Sequence, residues 1–352
     1  MASESASSTR MSPRRRSAFA VCLLGVVVAT TAIIDTGARN KGLALWMDRE
    51  REARVRDERR VFTHKGFYDS SMDQMLLDEL PNADYSRGSV CLIGSSNIMS
   101  STRLWELPDE QRALIHNYGL PGTCHALHFH LLRFLIEQQQ LLRAGGDKTL
   151  VIFGITYSNI HCTDGYLLNR SGLYTFDKAE GIRAAPVHPL KRWLITEKSR
   201  IPGFLFACRE FAVAGAAKLA GLPLGSRRVH DRDDLNKFWR EYVGVDWEQS
   251  LQTQIAVFER TLEYLKARHV RIAVILLPCP SWDGELPFRA HYNPEVARVC
   301  SASGVPLHDL SRMLDDEEFG DGSHVNLYGM DRLNSAILDI AMPHLRALEA
   351  AK

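Results

Sequence analysis

The chain has 352 residues, 45% of them hydrophobic, and its 43 basic and 42 acidic residues leave a formal net charge of +1. This is enough apolar chain for a large buried core, and it fits one globular domain with attached segments. The nearly balanced charge gives no reason to expect nucleic acid as a partner, and no internal repeat or long low-complexity tract indicates a fibrous or repeat protein.

The N-terminal residues have the charge pattern of a membrane signal. Residues 1–17 are serine-rich and contain Arg14-Arg15-Arg16, and residues 18–34 are uncharged and largely apolar. A spanning helix needs about 17 to 25 residues, so this run is just long enough. Small residues at 30–32 suit a signal peptidase, although the apolar run continues to residue 34. We predict an uncleaved anchor with residues 1–17 in the cytoplasm, and a cleaved signal peptide is the alternative.

A charged segment follows the predicted anchor. Nearly every residue from 48 to 60 is charged, with both signs at three- and four-residue spacing. Such spacing favours an exposed helix supported by weak ion pairs. We therefore interpret residues 35–85 as a charged helical stalk and place the catalytic domain at residues 86–352.

The first strand of this domain ends beside a candidate nucleophile. Residues 89–93 form a short apolar run between Gly88 and Gly94, which predicts a buried parallel strand. Ser96 lies just beyond its carboxyl end, where open α/β sheets place their ligand sites, and residues 97–107 are expected to form a helix. A plain Gly-Ser-Ser turn is the alternative.

The remaining elements alternate as in an α/β fold. Further strands are predicted at 113–117, 149–153, 271–277 and 305–310, and helices at 126–142, 251–266 and 325–348. They fit a doubly wound parallel sheet in the order 2-1-3-4-5. Residues 157–247 are too long for one crossover and are interpreted as a partly helical insert. Residues 281–293, which include Trp282, are expected to form a loop that either lines a substrate groove or lies plainly on the surface.

A second motif near the C-terminus supplies the partners that a nucleophilic serine needs. Asp321-Gly322-Ser323-His324 precedes the last helix. A serine hydrolase requires a base to accept the hydroxyl proton and a carboxylate to orient that base. We predict Ser96 as nucleophile, His324 as general base and acid, and Asp321 as the orienting carboxylate. Alternatively, Asp321 caps the last helix and His324 only packs.

Together these motifs resemble the SGNH (GDSL-like) hydrolase superfamily, in which a serine block follows the first strand and an Asp-x-x-His block comes late. Residues 117–122, Asn-Tyr-Gly-Leu-Pro-Gly, are similar to the second block of that family. Three motifs therefore occur in family order between Gly88 and the C-terminus. The resemblance implies the SGNH-type, flavodoxin-like α/β fold and a serine esterase or O-acyltransferase activity.

Two departures from the family pattern refine this expectation. Ser95 stands where the family usually has Asp, as in the membrane-anchored branch similar to DltD and the alginate O-acetylation proteins. That branch implies acylation or deacylation of a cell-surface polymer, often alongside a multipass membrane acyltransferase. The resemblance also implies an oxyanion hole formed by the amides of Ser96 and Gly119. The third block should read Gly-x-Asn, but Thr156 occupies the asparagine position, which leaves Thr156 and Asn159 as further helpers.

The cysteines and histidines do not have the spacing of a metal or redox motif. Six of the seven cysteines lie beyond the apolar segment, and none forms a close zinc or redox motif. Cys124 and Cys162 are the pair most consistent with a disulfide in an exported domain, and free buried thiols are the alternative. His125, His128, His130 and His161 lack the carboxylates of a defined metal site, so we predict no metal and no cofactor.

The sequence thus predicts a single-pass, extracytoplasmic serine O-acyltransferase that acts on a cell-surface glycan or other acyl-carrying substrate. An esterase of the same fold acting on carbohydrate or lipid is the first alternative. A non-catalytic accessory protein that binds a glycan or a membrane partner is the second.

Overall fold

The computed structural model describes residues 83–161, 173–177, 180–191, 232–320 and 322–351, with the isolated positions 46, 80, 208, 212, 216 and 219. Among these residues, no helix is both long and apolar enough to cross a membrane. The predicted anchor at 18–34 and nearly all of the predicted stalk lie outside the described residues.

A five-stranded parallel sheet organises the described chain. Its strands are β1 (Ser89–Gly94), β2 (Ile115–Gly119), β3 (Thr149–Ile155), β6 (Arg271–Leu276) and β7 (Leu307–Asp309). A separate antiparallel hairpin pairs β4 (Tyr174–Asp177) with β5 (Gly181–Ala184). The sheet order is β2-β1-β3-β6-β7, which confirms the predicted order 2-1-3-4-5 once the hairpin is set aside.

Helices cover both faces of this sheet, because its strands are apolar on both sides. The helices of the described residues include α1 (Ser96–Met99), α2 (Asp109–Arg112), α3 (His125–Glu137), α4 (Arg232–Val243), α5 (Trp247–Lys266), α6 (Pro287–Ser303) and α7 (Leu327–Ala350). Single turns of 3-10 helix occupy Leu104–Glu106, Gly146–Lys148, Tyr157–Ile160, Ser281–Glu285 and Asp316–Glu318.

Side chains that alternate along each strand build two separate cores. Ile93, Phe153 and Val274 face the core made with α3, α5 and α6. Their neighbours Leu92, Ile152 and the other alternate residues face the core made with α7. Helix α7 fits there because its buried residues recur at helical spacing: Met330, Leu333, Ile337, Ala341, Leu345 and Leu348.

Three glycines at one level of the sheet seat the first helix at its carboxyl edge. Gly94 of β1 pairs with Gly119 of β2 and with Gly154 of β3. A Cβ atom on any of the three would lie within 2.8 Å of the Ile98 side chain. The absence of side chains here lets α1 lie directly on the strand ends, which fixes the position of Ser96 at its start.

Several local predictions differ from the structure. The helix expected at 97–107 ends at Met99, because the Ser100 and Ser101 hydroxyls donate to the carbonyls of Ser96 and Asn97 and compete with further helix. The expected loop at 281–293 is a 3-10 turn followed by α6, which begins at Pro287, a residue that favours the first helical position. The described part of the insert includes the β4–β5 hairpin in addition to helix.

Candidate active site

Ser96 is the first residue of α1, and only Ser95 separates it from Gly94 at the carboxyl end of β1. Ser95 caps this helix from an extended conformation, with its hydroxyl near the Asn97 amide. Gly94, Ser95 and Asn97 are buried, whereas Ser96 is partly exposed. We call residues 95–101 the nucleophile turn, because it exposes the Ser96 hydroxyl while its other serine and asparagine side chains are buried.

His324 reaches this hydroxyl from the loop before α7. The loop is closed by a bridge between Phe319 and Val325 and by the Gly320 N–H, which donates to the His324 carbonyl at 2.8 Å. The structure places His324 Nε2 2.8 Å from Ser96 Oγ. This is a hydrogen bond between a potential nucleophile and a potential general base, so it has the geometry needed for proton removal.

The other ring nitrogen of His324 contacts its own neighbour in the chain. Ser323 Oγ lies 3.1 Å from His324 Nδ1. The predicted orienting carboxylate, Asp321, lies outside the described residues, so its role stays a prediction.

The Gly119 amide does not have the environment expected for an oxyanion donor. Its N–H donates at 2.9 Å to Asn117 Oδ1 and is therefore already used. The Asn117 amide nitrogen in turn donates to the Ile98 carbonyl and to Thr102 Oγ1, at 3.1 and 2.8 Å. Asn117 thus ties β2 to the end of α1 and engages the Gly119 amide.

Thr156 and Asn159 form a buried brace rather than an open donor pair. Asn159 Oδ1 accepts from the Thr156 N–H, and its Nδ2 donates to the Thr123 carbonyl, both at 2.8 Å. The Thr156 hydroxyl lies 2.7 Å from that of Ser158. Asn159 is fully buried, and its two hydrogen bonds connect the loop after β3 to the loop after β2. This arrangement indicates that Asn159 holds the two loops together. Of the four expected oxyanion donors, the Ser96 N–H remains best placed, since the first amide of a helix has no acceptor within the helix.

A second polar cluster lies at the same edge of the sheet, in the loop after β6. We call residues 278–286 the Asp283 loop. Asp283 is fully buried, and its Oδ2 accepts from the Tyr157 hydroxyl at 2.5 Å, while its Oδ1 has no hydrogen-bond partner among the described residues. Burial raises the pKa of Asp283 to about 7, so this carboxyl takes up a proton near neutrality.

The histidines at the start of α3 are core residues. His125 Nε2 bonds to the Tyr292 hydroxyl and His128 Nε2 to the Thr123 hydroxyl, each at 2.9 Å. Burial lowers the pKa of His128 to about 3 and that of His125 well below its usual value, so both rings are neutral. In the described ranges, no group of three or more His, Cys, Asp or Glu side chains is arranged to hold a metal ion.

Cys124, directly before α3, is disulfide-bonded. Its predicted partner, Cys162, lies outside the described residues, so the pairing itself stays a prediction. Among the described cysteines, Cys91, Cys279 and Cys300 are free thiols.

Asn97 makes a long-range contact at the site that the sequence does not predict. Its Nδ2 donates to the Ser323 carbonyl at 2.6 Å, across 226 residues of chain. An asparagine after a serine is too common a pattern to indicate such a partner, so no sequence signal pointed to it.

No protein-family model matches the chain, and no curated protein matches it. Among solved structures, the chain is similar to a protein described as a candidate acylhydrolase from Bacteroides fragilis NCTC 9343. That match has a TM-score of 0.40 and 14% identity, over 80% of this chain and 100% of that one. A GDSL-like lipase from Bacteroides thetaiotaomicron VPI-5482 gives a TM-score of 0.35 and 12% identity, over 76% and 91%. At TM-scores of 0.40 and below, neither likeness supports an inference about fold or activity.

Proposed function

We propose that this protein is a serine acyltransferase that forms an acyl-Ser96 intermediate and passes the acyl group to a hydroxyl of a cell-surface polymer. The observation that carries the proposal is the 2.8 Å hydrogen bond between His324 Nε2 and Ser96 Oγ at the carboxyl edge of the sheet. A serine hydroxyl is a weak nucleophile alone, and an adjacent imidazole activates it by accepting its proton.

The reaction follows from this pair in two half-reactions. Ser96 Oγ attacks the acyl carbonyl of an ester donor while His324 Nε2 takes the hydroxyl proton. The tetrahedral oxyanion collapses, the donor alcohol leaves with the proton from His324, and an acyl ester remains on Ser96. An acceptor hydroxyl then attacks this ester, gives its proton to His324, and releases Ser96 as His324 returns that proton to Oγ.

Two further groups are assigned roles in this scheme. Asp321, three residues before His324, orients the imidazole and stabilises its protonated form. The Ser96 N–H stabilises the oxyanion from the start of α1, because preorganised donors aimed at developing charge give the largest single catalytic contribution in such reactions. Gly119 is not assigned this role, since its amide is bonded to Asn117.

Attachment to a membrane is the reason for preferring transfer over hydrolysis. The basic flank and apolar run of residues 1–34 would anchor the domain outside the cytoplasm, in the periplasm or the extracellular space, beside envelope polymers and a multipass acyl donor protein. The disulfide at Cys124 supports an oxidising compartment, where such bonds persist.

Hydrolysis is the second candidate function, and one observation favours it. Ser96 and His324 are both partly exposed, so water has access to the acyl-serine. Acceptor transfer prevails only if the acceptor is held in place, since good orientation is equivalent to an effective concentration of about 10⁵ M or more.

Product analysis with the full-length protein in detergent tests the proposal. The enzyme is given an activated aryl ester with and without isolated envelope glycans, and both free acid and acylated glycan are followed. We expect glycan acylation with the wild type and none with Ser96→Ala. An unchanged rate of free-acid formation with no acylated glycan would favour the esterase. No turnover, together with no labelling of Ser96 by an active-serine reagent, would favour a non-catalytic accessory protein.

A further inference from the structure

The nucleophile and the base are joined by a second hydrogen bond beside the first. The dipeptide Ser96-Asn97 faces the dipeptide Ser323-His324. Ser96 Oγ contacts His324 Nε2 at 2.8 Å, and Asn97 Nδ2 contacts the Ser323 carbonyl oxygen at 2.6 Å. Two covalently linked pairs and two hydrogen bonds therefore form a closed ring that connects segments about 226 residues apart.

Chemistry fixes which end of the Asn97 amide takes part. A carbonyl oxygen only accepts hydrogen bonds, so its partner must be the Asn97 NH₂ group. The other end of the amide is held by Ser95, whose hydroxyl donates to Asn97 Oδ1 at 3.2 Å. Ser95 thus orients Asn97, and Asn97 holds the carbonyl of the residue before His324.

The support behind Asn97 is rigid. Asn97 is only 8% exposed, and its main-chain carbonyl accepts from the hydroxyls of Ser100 and Ser101. Its neighbour Ile98 is seated against the glycines of three strands. The hydrogen bond from Asn97 to the Ser323 carbonyl therefore fixes the loop before α7 relative to the edge of the sheet.

We propose that Asn97 is a positioning residue, which holds the Ser323 carbonyl so that His324 Nε2 stays within hydrogen-bond reach of Ser96 Oγ. This inference rests on the proposed Ser96–His324 chemistry. Its consequence is that the distance between base and nucleophile is set by Asn97 as well as by the base's own partners. A displacement of about 1 Å at a catalytic group is enough to cost roughly 100-fold in rate.

Asn334 offers a matched control for the structural part of this role. It is also 8% exposed, and its Oδ1 accepts from the Arg103 N–H at 2.8 Å across 231 residues of chain. Asn334→Ala therefore removes an equally buried long-range bond to main chain without touching the ring of Ser96, Asn97, Ser323 and His324.

The test compares Asn97→Ala, Asn97→Asp and Asn334→Ala in full-length protein, using a small aryl ester and an active-serine reagent. We expect both Asn97 variants to lose about 10- to 100-fold in kcat and in the rate of Ser96 labelling, with KM changed less than about twofold. Aspartate has the shape of asparagine, but its carboxylate oxygen would face the Ser323 carbonyl oxygen, and neither atom can donate a hydrogen bond. The loss of kcat in Asn97→Asp should therefore be at least as large as in Asn97→Ala. Asn334→Ala should keep kcat within about threefold, whatever its melting temperature.

Each result supports or overturns the proposal. A folded Asn97→Asp variant with kcat within about threefold of wild type would overturn it, as would an equal loss in Asn334→Ala. If neither Asn97 variant folds, Ser95→Ala decides, because it removes the hydrogen bond that orients the Asn97 amide and leaves Asn97 itself in place. An unchanged kcat would then contradict the role. Failure of the proposed function is separate and is recognised by full activity in Ser96→Ala.

Discussion

The nucleophile turn and the Asp283 loop follow two strands of the same sheet, β1 and β6, yet they differ in how their polar side chains are hydrogen-bonded and charged. In the nucleophile turn, the side chains of Ser95, Asn97, Ser100 and Ser101 are all hydrogen-bonded, and none of them carries a charge. In the Asp283 loop, a fully buried carboxyl keeps one oxygen without a partner among the described residues. The first arrangement holds its geometry at any ordinary pH, whereas the second changes charge near neutrality.

This difference shows how one sheet edge can combine a fixed site with a titratable support. The bond from Tyr157 to Asp283 joins the loop after β3 to the loop after β6. Burial opposes the ionised form of Asp283, whereas the hydrogen bond from Tyr157 favours it, and the effect of burial is the larger. We expect mutations in the nucleophile turn to change rates, and mutations around Asp283 to change how stability depends on pH.

The largest contrast should come from removing one serine in each region. Ser96→Ala should reduce aryl-ester turnover by about 10³-fold or more, and His324→Ala by nearly as much, since nucleophile and base act as a unit. Ser281 lies in the Asp283 loop, and its hydroxyl donates to Asp316. Ser281→Ala should leave kcat nearly unchanged. Steady-state kinetics measure all three variants, and comparable losses in Ser281→Ala and Ser96→Ala would contradict the assignment.

One added methyl group in each region gives the next contrast. In Gly94→Ala the new Cβ would lie 2.2 Å from the Gly154 carbonyl oxygen and 2.6 Å from Ile98 Cγ2. Relief requires movement of a central strand or of α1, so we expect a loss of about 3 kcal/mol in unfolding free energy and a much lower kcat. Gly284→Ala in the Asp283 loop meets nothing within 4 Å and serves as the control. Urea unfolding measures the stability of both variants. Equal stability would contradict the conclusion that α1 packs directly on the glycines at the strand ends.

A pH series on Asp283→Asn examines the titratable region directly. The folded pKa of Asp283, about 7, lies above its ordinary value of 3.8, so between these values the folded state holds a proton that the unfolded state lacks. The stability from this group is therefore fully present below pH 3.8 and is lost as pH rises toward 7.

Buried histidines act in the opposite direction. Burial lowers the pKa of His116 to about 4 and that of His128 to about 3, so their contribution is lost as pH falls below 6.5. The Asp283→Asn substitution removes the pH-dependent contribution of Asp283 and leaves that of the histidines. Between pH 4.5 and 6.5, the unfolding free energy of the variant should therefore rise with pH more steeply than that of the wild type, by about 1.4 kcal/mol per pH unit. Urea unfolding at several pH values tests this, and parallel curves for variant and wild type would show that Asp283 is ionised throughout.

The fold could be predicted from the sequence because three of the five sheet strands, β1, β3 and β6, are short apolar runs that end near a turn signal. The runs at 89–93, 149–153 and 271–277 were identified almost to the residue. The strand at Ile115–Gly119 was placed two residues early, since its polar His116 and Asn117 interrupt the apolar pattern. The sequence does not predict the hairpin in the insert, because two four-residue strands are too short to show a clear period.

The proximity of Ser96 and His324 could be predicted from the sequence, whereas the residues that hold the pair in place could not. Ser96 and His324 were placed together because their motifs occur in a recognisable order, and the structure brings them within 2.8 Å. The Asn117 bond to Gly119, the Asn97 bond to Ser323 and the burial of Asp283 depend on packing between distant segments. Single Asn and Asp residues in polar stretches give no local signal of such partners.

The smallest predicted effect concerns the hydroxyl that binds Asp283. Tyr157→Phe removes the donor to Asp283 Oδ2, and this bond favours the ionised carboxylate by lowering its pKa. We expect a loss of about 1 kcal/mol at pH 5, where Asp283 is protonated, rising toward about 2 kcal/mol at pH 8, where the hydrogen bond is to a charge. Tyr292→Phe is the matched control, because Tyr292 is equally buried and bonds His125, whose lowered pKa keeps it neutral over this range. Its loss should be the same at both pH values. Urea unfolding of the two variants at pH 5 and pH 8 measures the difference, and a loss in Tyr157→Phe that does not grow with pH would show that this hydroxyl does not sense the charge of Asp283.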